Sequence, residues 1–142
     1  MSADTKAIAR RLLEEAFNSG NLAVVDELVA PEFVNYDAAL PEPTRGIEAA
    51  KSSIGGYRDA FPDLRMTVEQ QIAEGEYVTT RWTGRGTHEG DLFGMSATGK
   101  QAAVTGITID RIVDGRIVES RTNWDTLGLM QQLGVVPALA TA

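Results

Sequence analysis

The dipeptide Asp114-Gly115 stands between two long runs of alternating residues, 101–113 and 116–125, and no other feature of this 142-residue chain limits its fold as tightly. Asp-Gly suits a two-residue type I′ turn, because both central positions take positive φ and the turn then matches the twist of its strands. The two runs are therefore expected to pair as one long antiparallel hairpin. A second hairpin is expected upstream, where 64–73 and 77–86 alternate around Glu74-Gly75. Before the hairpins the period changes. Ile8, Leu12, Leu13, Ala16 and Phe17 recur at helical spacing within 4–19, and Gly20 follows where a C-terminal glycine belongs. Asn21 can cap a shorter helix through Ala30, which Pro31 ends, and a third helix is expected over 47–61. Phe33 to Asp37 reads as a short strand, the proline-bearing stretch 38–46 as a loop, and 87–99 as a longer one. A short helix over 126–133 closes the pattern, with a loose tail expected after about residue 134.

Helices first and long antiparallel strands afterwards is the α+β arrangement, and the length suits a single domain spanning 1–142. Twenty acidic residues against thirteen basic ones give a net charge of -7, which repels phosphate backbones and anionic lipid. The basic residues are also scattered, so neither nucleic acid nor a membrane surface is an expected partner. With no cysteine and one histidine, thiolate chemistry and a zinc site are not expected. No apolar run approaches the length of a membrane span or a signal peptide core, which leads to a cytoplasmic reading.

A two-residue turn at Asp114-Gly115 pairs Arg111 with Val118, Ile109 with Ser120 and Ile107 with Thr122. Ile107, Ile109, Arg111, Val113, Val118, Ser120, Thr122 and Trp124 then share one face, expected toward the core. Thr108, Asp110, Ile112, Ile117, Glu119, Arg121 and Asn123 share the other. On a buried face Arg111 needs a carboxylate, unless its guanidinium reaches solvent past the sheet edge. Asp125 is the nearest by sequence if the strand's end turns it inward; otherwise Asp125 is the N-cap of the helix from Thr126. His88 lies in a glycine-rich loop as a candidate ligand contact or a loop brace. Asn35 and Tyr36 end a short strand beside the proline loop, placed to bond a ligand or brace a turn. Trp82, Ile109 and Trp124 are candidate walls of a pocket.

Three stretches, FVNYD at 33–37, RWTGRGTHEGDLFGMSATGK at 81–100 and GITIDRIVDGRIVESRTNWDTLGLMQQLG at 106–134, resemble the SnoaL-like polyketide cyclase family over nearly the whole chain. The resemblance implies a cone of the nuclear transport factor 2-like (NTF2-like) type: a curved antiparallel sheet wrapped around N-terminal helices, with an internal pocket for a small, largely apolar molecule. It also implies a cofactor-free enzyme for aldol-type cyclisation, with an aspartate at Asp125 as acid and base, an asparagine at Asn35, and a histidine fourteen residues before the aspartate. Arg111 stands at that histidine position. Beside Asp125 it would hold the carboxylate ionised and offer a fixed cation to an enolate or alkoxide.

Two other readings accompany ring closure. An Arg/Asp pair is similar to that of epoxide hydrolases, so the pocket could activate water, as a hydroxylase-like or epoxide hydrolase-like member; Asp110 or Arg121 inside the cavity would favour this. Alternatively the pocket binds a small molecule without chemistry. A homodimer or higher homo-oligomer is expected through the outer face of the sheet, read as Thr108, Ile112, Ile117 and Asn123.

Overall fold

The computed structural model describes residues 2–137, so the end of the expected loose tail, 138–142, lies outside the described residues. Three helices precede most of the sheet: α1 (Ser2–Arg11), α2 (Ala23–Leu28) and α3 (Ile47–Ala60). α1 does not stop at Arg11. It continues as a wider π-helical segment, Leu12–Asn18, which ends at Gly20 with φ +72°. A Cβ at Gly20 would lie 2.9 Å from the Arg58 guanidinium, which donates to the carbonyls of Phe17 (2.5 Å) and Asn18 (3.0 Å). Glycine thus turns the chain there and makes room for the cation that satisfies the helix's last carbonyls.

The second helix ends at Leu28, two residues earlier than its pattern implies, and the chain enters β1 (Val29–Asp37) directly. β2 (Thr44–Arg45), β3 (Arg65–Glu74), β4 (Tyr77–Thr87), β5 (Gln101–Val113) and β6 (Arg116–Trp124) follow, and α4 (Thr126–Leu133) closes the described fold. The strands form one curved, unclosed sheet in the order β2-β1-β6-β5-β4-β3. Both expected hairpins are present, β3–β4 and β5–β6. The sheet is not wholly antiparallel, because β1 runs parallel to β6.

The β5–β6 hairpin departs from the expected register. Val113 opposes Arg116 and Ile112 opposes Ile117, but Arg111 then opposes Glu119, so Val118 is left as a bulge. An extra residue on one strand shifts every pair beyond it. Asp110 consequently faces Ser120, Thr108 faces Thr122 and Gly106 faces Trp124. The inward residues of β5 are Gly106, Thr108, Asp110 and Ile112, while Ile107 and Ile109 are exposed. Expectation and structure agree on Ser120, Thr122 and Trp124 of β6 and are opposite on β5.

Ala9, Ala16, Val25, Leu28, Phe33, Ile54, Val78, Ile112 and Ile117 pack the helices onto one half of the concave face. A second cluster joins the end of α3, Leu92 of the 88–100 loop, and Leu129 and Leu133 of α4. Between them Leu13, Met66 and Trp82 line a space that is not filled.

Candidate active site

That space is a cavity of about 180 Å³ enclosed by α1 with its π-helical extension, α3, α4 and the concave face of the sheet. A dry engineered cavity of about 150 Å³ takes up benzene. This one can therefore enclose one or two rings, with the remainder of a larger molecule in the opening. The helices contribute apolar side chains, among them Leu12, Leu13, Phe17, Ile54 and Leu129.

The sheet contributes its polar side chains in rows, because successive inward residues recur every second position and pair across strands. One row runs Asn35, Ser120, Asp110, Val78, and the next runs Asp37, Thr122, Thr108, Thr80. In the row after that, Trp124 and Trp82 flank Gly106. A Cβ at Gly106 would lie 2.3 Å from the Trp82 ring and 2.8 Å from Cβ of Trp124, so only glycine lets both indoles line the cavity. Trp82 Nε1 donates to Thr108 Oγ1 (3.0 Å), which lies 3.0 Å from Thr122 Oγ1.

Asp110 is one of two carboxyls lining the cavity. It is buried, and the hydroxyl of buried Ser120 donates to its Oδ1. Burial among apolar groups pushes its pKa up to about 6, against the opposing effect of the Ser120 hydrogen bond. The second carboxyl, Asp37, accepts from Trp124 Nε1 at 3.1 and 3.3 Å and from the backbone N–H of Ala39 at 2.8 Å. Asp37 and Thr122 also line an open groove with Tyr36, Pro41, Pro43 and Arg121, which marks this end as the rim. Tyr57 reaches the cavity from α3, and among the described residues its buried hydroxyl has no partner at hydrogen-bond geometry.

The residues singled out from the sequence separate into two groups. Asn35, Trp82 and Trp124 line the cavity. Tyr36, Ile109, His88, Arg111 and Asp125 do not. Tyr36 is on the outer side of β1, under the Arg121 guanidinium at 4.2 Å from its ring centroid. Ile109 is exposed on the convex face. His88 is fully buried beside Phe61, and its Nδ1 contacts Thr98 Oγ1 (3.0 Å) and accepts from the Thr98 N–H (3.3 Å), tying the two ends of the 88–100 loop together.

Arg111 and Asp125 are not brought together. Arg111 Nε donates to Glu76 Oε1 at 3.0 Å in a half-exposed ion pair. Asp125 is exposed and caps α4, its Oδ1 accepting from the Gly128 N–H at 2.9 Å. Arg111 points outward because β5 alternates without interruption and its neighbours Asp110 and Ile112 are inward, while the bulge at Val118 turns Ser120, Thr122 and Trp124 of β6 to that same inner face. Asp125 follows the strand's last pair and turns to the nearest orphan donors of the helix. Inside the cavity, the fourteen-residue separation belongs to Thr108 and Thr122, neither of which titrates.

The groups missed by sequence reasoning are Asp37, Tyr57 and Asp110, the last expected on the outer face. One signal for Asp110 was present. On β4 the odd positions Arg81 and Arg85 are polar and the even positions Val78 and Trp82 apolar. Pairing that strand with β5 puts even-numbered residues, Asp110 included, inside. Among the described residues, no group of three or more His, Cys, Asp or Glu is gathered as for a metal ion, and no helix is long and apolar enough to cross a membrane.

Comparison with known proteins agrees with this architecture. The family model for SnoaL-like polyketide cyclase matches residues 7–133. Aklanonic acid methyl ester cyclase DnrD of Streptomyces peucetius is 35% identical over 129 residues, covering 89% of this chain and 88% of that protein. A candidate SnoaL-like polyketide cyclase from Jannaschia superposes with a TM-score of 0.87 at 25% identity, over 96% of this chain and 95% of the other. AclR of Streptomyces galilaeus, a candidate hydroxylase, superposes with a TM-score of 0.85 at 26% identity, over 99% and 87%. By its matched sequence and by its fold alike, the chain belongs to the SnoaL-like polyketide cyclase family.

Proposed function

We propose that this protein closes a ring in a polyketide-like substrate by an aldol reaction, with Asp110 as the acid and base. The observation that carries the reading is the placement of Asp110: a buried carboxyl, lining an apolar cavity, with its pKa pushed up to about 6. A group that must take and return a proton works best when its pKa lies near the working pH. As carboxylate, Asp110 removes a proton from carbon α to a carbonyl. The resulting enolate attacks a second carbonyl carbon, forming the ring bond, and the alkoxide recovers the proton from the Asp110 carboxylic acid. Protons and electrons balance using only side chains of this chain. Aklanonic acid methyl ester, which DnrD's name gives as its substrate, is the first compound to assay. The Asp110→Asn variant should lower kcat by about 10³-fold. Turnover within a few-fold of wild type would remove Asp110 from this role.

A second reading is favoured by the same residue, since a carboxylate inside the cavity can equally activate water, and AclR shares the fold. Product analysis in H₂¹⁸O separates the two: label fixed in carbon-bound oxygen supports water addition, and an unlabelled cyclised isomer supports ring closure.

Self-association is part of the proposal, with the contact face corrected. Ile112 and Ile117 are core residues, and the exposed apolar side chains of the convex face are Ile72, Tyr77, Ile107 and Ile109. These lie on neighbouring strands and suit a contact between two sheets. Light scattering at micromolar concentration should give the mass of a dimer, and Ile109→Glu that of a monomer. A monomeric wild type would end this part of the reading.

A further inference from the structure

Tyr57 is the one phenol lining the cavity, and among the described residues its buried hydroxyl meets no partner at hydrogen-bond geometry, although the Asp37 carboxyl lies close enough to act on it. Buried polar atoms in folded proteins are nearly always hydrogen-bonded, and leaving one unpaired costs on the order of 1–3 kcal/mol. The neighbouring Asp37 is already held by the N–H groups of Trp124 and Ala39. The Tyr57 ring is fixed edge-on against Trp124 (centroids 6.3 Å apart, planes at 85°) and Phe93 (6.2 Å, 87°). Its hydroxyl is therefore held beside Asp37 by the packing of the ring rather than by a well-formed hydrogen bond.

We propose that the Tyr57 hydroxyl is a specificity-determining donor for a carbonyl oxygen of an aromatic ligand in the cavity. The geometry supports a donor, because Asp37 close by opposes any negative charge on the phenol. Burial, and then Asp37, raise the pKa of Tyr57 well above the usual tyrosine range, so the O–H persists at every working pH. In the ring closure, which for this step rests on the function proposed above, the bonded oxygen is that of the carbonyl attacked. Tyr57 then strengthens its hydrogen bond as charge develops on that oxygen. Asp110 lies on the same concave face, one row along the sheet and two strands across from the Asp37 that neighbours Tyr57.

The test reads binding, so it does not depend on turnover. 1-Tetralone and tetralin share a two-ring frame and differ in one carbonyl, and both are of a size for the cavity. In ligand-observed NMR titrations, wild type should bind 1-tetralone more tightly than tetralin. Tyr57→Phe should lose about 5- to 10-fold in affinity for 1-tetralone while leaving tetralin unchanged. Removing an unpaired buried hydroxyl should leave the melting temperature of Tyr57→Phe unchanged or raised. Equal losses for both ligands, no preference in wild type, no binding of 1-tetralone, or a melting temperature several degrees lower would each overturn the assignment. Loss of the tetralone preference in Tyr57→Phe, together with full turnover in Asp110→Asn, would keep the donor and reject the base.

Discussion

Ser120 donates its hydroxyl hydrogen to the carboxyl of Asp110 across the β5–β6 ladder, and both side chains are buried against the cavity. The pair exists because of one bulge. The bond favours the charged form of Asp110 while burial favours the neutral one, and burial has the larger effect.

Ser120→Ala removes only the opposing influence. The pKa of Asp110 should rise further above about 6, and the acidic limb of the pH–rate profile should move to higher pH by a measurable fraction of a unit. A limb that stays in place in this variant would mean that another group sets it.

Asp110 also makes stability depend on pH. Its folded pKa of about 6 lies above the ordinary 3.8, so the folded state binds the proton more tightly than the unfolded state. Below the unfolded value both states are protonated and nothing is lost. Between the two values stability falls as pH rises, and above about 6 the loss is constant, at roughly 3 kcal/mol by 1.36 kcal/mol per unit. Asp110→Asn should therefore be more stable than wild type at pH 7.5 and lose that advantage near pH 4. Urea unfolding at the two pH values measures the difference.

Gly106→Ala should destabilise the fold by about 1–3 kcal/mol, since the new methyl group meets the Trp82 ring at 2.3 Å and Trp124 Cβ at 2.8 Å. Both indoles line the cavity, so the variant should also show altered tryptophan fluorescence and weaker 1-tetralone binding.

Asp125→Ala should cost about 1 kcal/mol through loss of the α4 cap, with turnover within a few-fold of wild type. Arg111→Gln should leave stability nearly unchanged, as expected for an exposed ion pair with Glu76, and leave activity in place. A 10²-fold loss of kcat in either variant would restore these residues to the reaction.

The sequence by itself determined the order of helices and strands, the β5–β6 turn at Asp114-Gly115, the helix cap at Gly20 and three of the cavity's residues, Asn35, Trp82 and Trp124. Each of those signals is local: a turn residue, a cap or a period within one segment. Which face of β5 looks inward was not local, because isoleucines lie on both faces of that strand and a single bulged residue on β6 changes every pairing beyond it. Tertiary structure alone decided that Asp110 is buried and Arg111 is not. It also joined Asp37 of β1, Tyr57 of α3 and Trp124 of β6 at one rim, since their meeting depends on the parallel β1–β6 pairing and on α3 packing across the sheet. A carboxyl's chemistry follows from its desolvation, and desolvation is a property of the packed fold rather than of any one segment.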